Sequence, residues 1–416
     1  MNRSMAPLFA IVLCAFSRVE AQTLEGFARL PADTFRTGPT SGQFIAAANG
    51  RIPPFVDKQP VQGISAVLRG EDGDFWAMPD NGFGAKDNSA DYVLGLYRVS
   101  PHFRTKHGGS GTIDVEQFVA LRDPDRRINF AIVADGAFYP NSAIPVDAQI
   151  RSRRLLTGGD FDIESVRQAR DGTLWFGDEF GPFLLHTDRT GKVLEAPFPL
   201  PGVKSPQNPF LGTGTPNLPR SKGFEGMAIS PNGKALYPLL EGPLTTDPDQ
   251  LRLIINEFSL KQERYTGRQW FYRLETLGFA IGDMTAFADR KFLVIERDNF
   301  EGAAAMFKKI FVVDFDDVDS EGFLVKREVA DLLHIRDPFH LGGASDVFRF
   351  PFVTIESVLP LGNRRLAVLN DNNYPGSAGR TPGQPDPDEF IIIRLDQPLN
   401  TDEDDDDDES DREGER

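Results

Sequence analysis

The sequence predicts an all-β protein, and more specifically a β-propeller. Three observations support this prediction: a short unit recurs five times, each unit has a tight-turn signal between two strand-like runs, and Gly (39 residues) and Pro (31 residues) are frequent. Short repeated strands joined by turns favour small sheets arranged radially. A β-sandwich is the alternative, but a sandwich gives no reason for one unit to recur.

The first residues, MNRSMAPLFAIVLCAFSRVEA, have the pattern of a secretory signal peptide. Arg3 supplies positive charge, and the apolar run at 6–16 is too short to span a bilayer. We therefore predict a signal peptide over 1–21, cleaved near Ala21, and a secreted or periplasmic mature chain without a membrane span. Cys14 is the only cysteine, so that mature chain would have no disulfide and no thiolate metal site.

The chain is strongly acidic, with a formal net charge of −17. The segment DEDDDDDESDREGER at 402–416 contains 11 acidic and 2 basic residues, so it cannot bury apolar surface. We predict a propeller domain over 22–398 and a disordered acidic tail over 399–416, which is solubilising, weakly cation-binding or a specific partner site. The acidic body argues against nucleic acid or anionic membranes as partners, and we expect a monomer.

The recurring units lie at 63–84, 162–182, 224–243, 282–302 and 355–376. Each is a short run, a tight turn and an apolar run that ends in polar residues. The turns are Asp72-Gly73, Asp171-Gly172, Asn232-Gly233, Asp289-Arg290 and Gly362-Asn363. Asp-Gly and Asn-Gly favour the positive φ angles of hairpin turns, and the following runs are rich in β-branched and aromatic residues.

Two further strand candidates follow each of the first four units, which gives four strands per repeat. The fifth unit is followed by FIIIRLD alone, so it lacks its last strand. The N-terminal LEGFARL at 24–30 supplies a matching strand and would close the ring. Five repeats are visible, but the long interval after the first unit leaves room for another blade within 129–161. Five and six blades therefore both remain open.

Acidic residues recur near both ends of these hairpins. In a propeller, the start of the innermost strand and the end of the second strand meet at the same mouth of the channel, so we predict a ring of acids there. At strand starts these are Asp162, Glu164, Glu225, Asp283 and Glu356, and at second-strand ends Asp80, Asp178, Glu179, Glu241, Glu296 and Asp371. The alternative for each acid is a turn or capping residue.

Clustered carboxylates either take up protons or hold a cation. Oxygen-only donors favour Ca²⁺, then Mg²⁺ or Mn²⁺, over Zn²⁺. Lys222 and Arg297 belong to the same repeats and would form a cradle for an oxyanion such as phosphate; the alternative for both is an ordinary surface or paired charge. The Pro- and Gly-containing segment 201–223 is either a lid over this site or a cover for a sheet edge.

Several of these motifs together resemble the phytase-like domain family of exported bacterial proteins, described as having esterase-like activity. The matching stretches are GPTSGQF, DIESVRQARDGTLWFGDEFGP, KGFEGMAISPNGKALYPLLEGP and FLVIERD, and the resemblance covers about 24–396. It implies a β-propeller that hydrolyses phosphoester-like substrates, with cation dependence by analogy to other propeller hydrolases. Lys222 departs from the expected Arg, and GISAV in the first unit has no strand-start acid.

Matching the family's motifs residue by residue carries over Asp162, Glu164, Asp178, Glu179, Glu225, Glu241, Glu296 and Arg297. The chain has neither a G-x-S-x-G nucleophile elbow nor the R-H-G-x-R-x-P motif of histidine acid phosphatases. The expected chemistry is therefore direct attack by water on a small phosphorylated or ester substrate.

In that chemistry Glu164 or Glu225 would act as a metal ligand or general base, while Arg297 and Lys222 would bind substrate and stabilise charge beside Asp80. Three functions remain open from the sequence. They are a Ca²⁺-dependent exported phosphoester hydrolase, a metal-dependent propeller enzyme of the lactonase type, and a non-catalytic propeller that binds Ca²⁺.

Overall fold

The structure is a computed structural model, and it describes residues 22–400. The predicted signal peptide and the acidic segment beyond Asn400 lie outside the described residues. The regular secondary structure of the described chain is almost all β-strand, with one α-helix, α1 (Ala148–Arg153), and two short 3₁₀ helices (Val133–Asp135 and Gly302–Ala304). None of these helices is long and apolar enough to cross a membrane.

The strands of the described chain follow one another in this order: β1 (Gln22–Leu30), β2 (Phe35–Thr37), β3 (Lys58–Pro60), β4 (Ile64–Arg69), β5 (Phe75–Pro79), β6 (Gly95–His102), β7 (Thr112–Ala120), β8 (Ile163–Gln168), β9 (Leu174–Asp178), β10 (Phe183–Thr187), β11 (Phe198–Pro199), β12 (Phe224–Ile229), β13 (Ala235–Leu240), β14 (Arg252–Ser259), β15 (Arg264–Arg273), β16 (Ala280–Ala288), β17 (Lys291–Arg297), β18 (Lys308–Val318), β19 (Leu324–Asp331), β20 (Ile335–Arg336), β21 (Val347–Phe348), β22 (Thr354–Pro360), β23 (Arg365–Asp371) and β24 (Asp388–Leu395).

Most of these strands form antiparallel runs of four, one for each repeat predicted from the sequence. From the inside outwards the runs are β4-β5-β6-β7, β8-β9-β10-β11, β12-β13-β14-β15, β16-β17-β18-β19 and β22-β23-β24-β1. The inner strands β4, β8, β12, β16 and β22 contact one another in that cyclic order, and β22 contacts β4 again. This radial arrangement around a central channel is a β-propeller, as predicted.

The N-terminal strand closes the ring, as the sequence predicts. Strand β1 pairs antiparallel with β24, from Gln22 opposite Leu395 to Leu30 opposite Asp388. It also touches the first repeat, where Arg29 pairs in parallel with Thr112 of β7, so the first and last repeats form one continuous sheet. No strand lies between β7 and β8, so the segment 129–161 adds no sheet to the ring.

The hairpin turns adopt the conformations that their residues favour. Asp72 has φ 54° and Gly73 has φ 87°, while Gly233 has φ 66° in the third repeat. Glycine reaches positive φ without a steric penalty, and Asp and Asn tolerate it better than most residues. Even Arg290, in the fourth turn, has φ 59°. These turns define one face of the ring, and the channel mouth lies on the other.

An apolar core fills each space between neighbouring runs. Between the third and fourth runs, for example, Tyr237, Met284 and Phe292 are buried together. Burying such side chains contributes about 1.5–3 kcal/mol each. The body extends slightly past residue 398, because Leu399 is buried and its backbone nitrogen donates to the Asn363 carbonyl oxygen at 2.7 Å.

Candidate functional site

Each inner strand has a β-bulge near the channel mouth. In β8, Ile163 pairs with Asp178 and Ser165 pairs with Gly177, which leaves Glu164 as the extra residue. A bulge bends the strand and redirects a side chain, and bulges are common beside active sites. The five bulge residues, in chain order, are Ser65, Glu164, Glu225, Gly282 and Glu356.

A second set of equivalent positions lies at the end of each second strand. In the third repeat Phe224 pairs with Leu240, and Glu241 follows. The corresponding residues of the five repeats are Asp80, Glu179, Glu241, Arg297 and Asp371. All five are buried, as are the three bulge glutamates, so the mouth concentrates seven carboxylates and one guanidinium away from bulk water.

Asp283 does not join this group, contrary to the prediction. It follows the bulge residue Gly282, and its Oδ1 accepts a hydrogen bond from Arg167 Nη2 at 2.8 Å. Its Oδ2 accepts from the backbone nitrogen of Val358 at 3.0 Å. The alignment of repeats was one residue out of register here, and such a slip turns a strand residue to the opposite face.

Glu296 also lies outside the group. Its Oε2 accepts from the Tyr272 hydroxyl at 2.7 Å and from Lys326 Nζ at 2.9 Å, and its Oε1 accepts from the backbone nitrogen of Glu275 at 2.6 Å. Neighbouring strand residues point to opposite faces, so the strand that directs Arg297 toward the mouth directs Glu296 away from it.

Asp178 fastens the second hairpin. Its Oδ1 accepts from the backbone nitrogen of Asp162 at 2.9 Å and its Oδ2 from that of Gly181 at 2.7 Å. Burial raises the pKa of Asp178 to about 7. Asp162, by contrast, belongs to the acidic group, and its Oδ1 accepts from Asn81 Nδ2 at 2.6 Å.

Among residues 22–400, two sets of three acids have carboxylate oxygens within 4.8 Å of one another. The first set is Asp162, Glu164 and Glu179, and the second is Glu179, Glu225 and Glu241. Glu179 therefore belongs to both. Oε1 of Glu179 and Oε1 of Glu225 are buried without a hydrogen-bond partner. Unpaired buried oxygens are costly, and several carboxylates at this spacing fit a hard divalent cation.

Electrostatics support the same fit. Burial, and then repulsion from neighbouring acids, raises the pKa of Glu164, Glu179 and Glu225 well above the usual range. Burial is also the main cause that raises the pKa of Asp162 to about 6 and that of Glu356 to about 8. A bound cation would offset the repulsion and favour the ionised carboxylates.

Three further predicted acids lie at the same mouth but outside the two sets. Glu356 Oε2 accepts from Ser65 Oγ at 3.1 Å, and Asp371 Oδ2 accepts from Thr354 Oγ1 at 3.0 Å. Asp80 Oδ1 accepts from the backbone nitrogen of Gly82 at 2.8 Å. These hydrogen bonds fix the three carboxylates beside the two three-acid sets rather than within them.

Both predicted basic residues reach the acids. Arg297 Nη2 lies 3.4 Å from Glu356 Oε1 and 3.6 Å from Glu241 Oε1, and its Nε has no hydrogen-bond partner. Lys222 Nζ contacts the other oxygen of Glu241 and is partly exposed. The mouth thus combines a group of acids able to hold a cation with two cations able to hold an anion.

A cavity of about 330 Å³, which was not predicted from the sequence, opens beside Asp80. Its walls are formed mainly by Ile45, Phe83 and Tyr374 together with neighbouring glycine backbone. Phe83 and Tyr374 lie at the ends of the first and fifth repeated units, but Ile45 lies before the first unit, so repeat alignment alone could not bring the three walls together. The Asn-Tyr-Pro-Gly sequence at 373–376 signals a turn there but not a cavity.

The predicted lid segment 201–223 is attached beside the mouth. Asn208 Nδ2 donates to the Gly181 carbonyl oxygen at 2.7 Å, and Lys86 Nζ donates to that of Gln207 at 3.3 Å. Gly181 follows the mouth residue Glu179 closely in sequence. The segment therefore borders the acidic group.

A family model described as "Phytase-like: Esterase-like activity of phytase" matches residues 59–374, which is most of the chain. The chain belongs to this phytase-like family. The match includes all five bulge residues and all five strand-end residues of the mouth. The family resemblance predicted from the sequence is therefore confirmed.

Other similarities of this phytase-like chain are distant. An uncharacterized secreted protein of Arthroderma benhamiae is 24% identical over 210 residues, covering 41% of this chain and 40% of that protein's length. A luciferin-regenerating enzyme is 12% identical with TM-score 0.38, covering 91% of this chain and 97% of its own. An exo-β-1,3-galactanase of Clostridium thermocellum is 10% identical with TM-score 0.39, covering 89% and 63%.

Proposed function

We propose that this chain is an exported hydrolase that cleaves phosphoesters with the help of a divalent cation at the propeller mouth. The observation that carries the proposal is the pair of three-acid sets that share Glu179, next to Arg297 and Lys222. The family match supports a hydrolase of this general kind. Ca²⁺ is the preferred cation, with Mg²⁺ or Mn²⁺ as alternatives, because every donor is a carboxylate oxygen.

The proposed cation ligands are Asp162, Glu164, Glu179 and Glu241. When bound, a divalent cation lowers the pKa of water and neutralises phosphoryl charge. The bulge in β8 and the ends of β9 and β13 fix Glu164, Glu179 and Glu241 on rigid strands, and Asp162 lies directly before β8. Strand-borne ligands hold their geometry better than loop-borne ligands do.

Glu225 is the proposed general base, because its Oε1 is buried at the mouth without a hydrogen-bond partner. Arg297 and Lys222 would bind the phosphoryl oxygens and stabilise the charge that develops on them. Both now contact Glu241, and a cation on that carboxylate would weaken its hold on them. The N–H donors of Arg297 and Lys222 would then be available to bind the substrate oxyanion.

The cavity beside Asp80 is the proposed site for the alcohol part of the ester. Ile45, Phe83 and Tyr374 give it apolar walls, which suit an aryl or alkyl group better than a second phosphate. Asp80 itself would repel an additional anion. A monoester with an apolar leaving group is therefore the expected substrate type.

Hydrolysis of p-nitrophenyl phosphate tests the proposal. The mature chain from Gln22 is treated with EDTA, and activity is measured before and after Ca²⁺, Mg²⁺ or Mn²⁺ is restored. We expect metal-restored turnover that Glu225→Gln reduces by about 10²-fold or more. Glu257→Gln is the matched control, because Glu257 lies on β14 and bonds Thr266 at 2.6 Å, away from the mouth.

Two results would contradict the proposal. One is an absence of turnover with any of the three metals. The other is equal turnover in Glu225→Gln and the Glu257→Gln control. Thermal melting with and without Ca²⁺ separates loss of chemistry from loss of fold, since a cation that binds only the folded chain raises its melting temperature.

Export is proposed from the leader-like residues 1–21 and from the curated relative, which is described as secreted. N-terminal sequencing of protein recovered outside the cytoplasm tests it. We expect the recovered chain to begin at Gln22. A chain recovered only from the cytoplasm, with Met1 retained, would argue against export.

A further inference from the structure

A second large cleft lies between the first and second four-stranded runs, away from the mouth. Its volume is about 710 Å³, and its boundary includes Gly70 and Glu71 in the β4–β5 turn and Thr190 in the turn after β10. These turns belong to the face opposite the channel mouth. The cleft is therefore separate from the acidic group described above.

The cleft is basic, although the chain as a whole has a net charge of −17. Five arginines line it: Arg69, Arg98, Arg122, Arg153 and Arg189. The one acidic residue in the lining is Glu71. A local excess of positive charge in an acidic protein marks an anion-binding surface.

Three of these arginines are available to a ligand. Arg98 pairs with Asp74, and Arg122 donates to Thr190 Oγ1 at 3.0 Å. The side chains of Arg69, Arg153 and Arg189 are exposed and make no hydrogen bond or ion pair with any other residue in 22–400. Guanidinium groups bind carboxylates in pairs of parallel hydrogen bonds, so three free ones favour a ligand with several carboxylates.

We propose that the acidic segment 402–416 of the same chain binds in this arginine cleft. The segment carries 11 acidic residues against 2 basic ones, which complements the five arginines. The described chain ends at Asn400 on the face of the hairpin turns, where the Asn400 nitrogen donates to Asn363 Oδ1 at 2.8 Å. Lys291, at the β16–β17 turn, also bonds Asn400.

The segment begins on the same face of the ring as the cleft, so it can approach the cleft without crossing the mouth. Residues 401–416 span up to roughly 50 Å when extended, at about 3.3 Å per residue. Tethering gives the segment an effective concentration on the order of 1 mM, so weak individual contacts suffice. The interaction is between exposed charges and therefore weakens strongly with salt.

Trp76 provides an internal reporter, because it lines the cleft and is half-buried. The other two tryptophans lie elsewhere: Trp175 stacks on His186 and Trp270 stacks on Phe315. A ligand that enters the cleft changes the surroundings of Trp76 alone. Trp76→Phe thus identifies the source of any fluorescence change.

The test compares two chains that both span residues 22–416. One has the natural sequence, and in the other every Asp of 402–416 becomes Asn and every Glu becomes Gln. A synthetic peptide with the natural 401–416 sequence is titrated into each at 50 mM NaCl while tryptophan fluorescence is recorded. We expect the peptide to bind the neutralised variant at least about 10-fold more tightly than the natural chain, whose own segment competes. Raising NaCl to 500 mM should weaken binding at least about 10-fold.

Arginine variants then locate the binding surface. In the neutralised background, the combination Arg69→Ala, Arg153→Ala and Arg189→Ala should weaken peptide binding by at least about 10-fold. The matched control replaces three exposed arginines outside the cleft (Arg29→Ala, Arg127→Ala and Arg264→Ala). This control should change the affinity for the peptide less than about 2-fold. Thermal melting confirms that all variants are folded.

Three outcomes would overturn the proposal. The peptide fails to bind the neutralised variant, it binds the natural chain equally well, or the two arginine combinations weaken it equally. Equal binding to both chains would mean that the cleft accepts anions from solution rather than the chain's own segment. None of these outcomes depends on hydrolytic activity, so the proposed function is tested separately.

Discussion

The second and fourth repeats have the same strand arrangement but place opposite charges at the channel mouth. The second repeat has Glu164 at its bulge and Glu179 at the end of its second strand. The fourth has Gly282 and Arg297 in the same two positions. The comparison shows that the repeated backbone does not by itself determine the charge at the mouth. Side-chain differences between repeats make one side of the mouth suited to a cation and the other to an anion.

The glycine of the fourth repeat has a steric cause. A Cβ atom at Gly282 would lie 2.0 Å from the carbonyl oxygen of Ile355 on the neighbouring inner strand. Any larger residue there would force β16 and β22 apart. Packing therefore excludes an acid from this bulge, and Arg297 takes the strand-end position that a carboxylate holds in the other four repeats.

The largest expected effect contrasts two glutamates that look alike in the sequence, in EGP and ERD. Glu241→Gln should lower metal-dependent kcat by at least about 10²-fold, because Glu241 belongs to the second three-acid set. Glu296→Gln should change kcat less than about 3-fold, although it weakens the contact with Lys326. Steady-state kinetics on folded variants measure both, and equal losses would mean that the two residues share one site.

A smaller effect is expected on the cationic side of the comparison. Arg297→Lys keeps the charge but loses the forked donors, so kcat should fall by about 10–100-fold. Arg170→Lys is the control, because Arg170 is exposed and donates only to the Pro231 carbonyl oxygen in a turn. An Arg297→Lys variant as active as the control would remove Arg297 from substrate binding.

A third effect is expected from the close packing between the fourth and fifth repeats, where Gly282 of β16 lies against β22. Gly282→Ala should lower the free energy of unfolding by about 2 kcal/mol, because inserted atoms strain a close-packed contact. Gly343→Ala should be nearly neutral, since a Cβ at Gly343 meets nothing within 4 Å. Denaturant unfolding midpoints measure both, and a neutral Gly282→Ala would show that β16 and β22 can separate without cost.

The smallest effect concerns a buried lysine of the fourth repeat. Lys308 Nζ pairs with Asp298 Oδ1 at 2.9 Å, yet burial, and then the charge of Arg297, lowers the pKa of Lys308 to about 8. The unfolded chain therefore binds more protons than the folded chain between about pH 8 and 10.5. Stability from this group rises with pH across that window and is lost as the pH falls toward 8.

Lys308→Met removes the group that titrates in this window. We expect the natural chain to gain about 1.5 kcal/mol relative to Lys308→Met between pH 8 and 9.5. Denaturant unfolding at each pH measures the free energy of unfolding of both chains. Other titrating groups contribute equally to both chains, so their effect cancels in the difference. A difference that stays constant with pH would show that Lys308 remains charged throughout.

The overall architecture could be predicted from the sequence because its signals are local. Turn pairs such as Asp72-Gly73 adopt the expected positive φ angles, and LEGFARL forms the closing strand. The recurrence of the hairpin then implies a ring, since neighbouring copies must bury their apolar faces against one another. Nothing in 129–161 repeats this pattern, and that segment forms no strand.

The membership of the acidic group was less predictable. Glu164, Glu225 and Glu356 were found because they occupy the same place in aligned repeats. Asp283 and Glu296 are misplaced because matching acid to acid shifts the fourth repeat by one residue, and a single-residue shift exchanges the faces of a strand.

The strand that closes the propeller also sets an order of events for the folding chain. Gln22 pairs with Leu395, so the first strand of the described chain waits for a partner that is made much later. Contacts between such distant residues form slowly, because a long loop must close first. A chain still emerging from the ribosome therefore cannot complete its ring until residues 388–395 have been made.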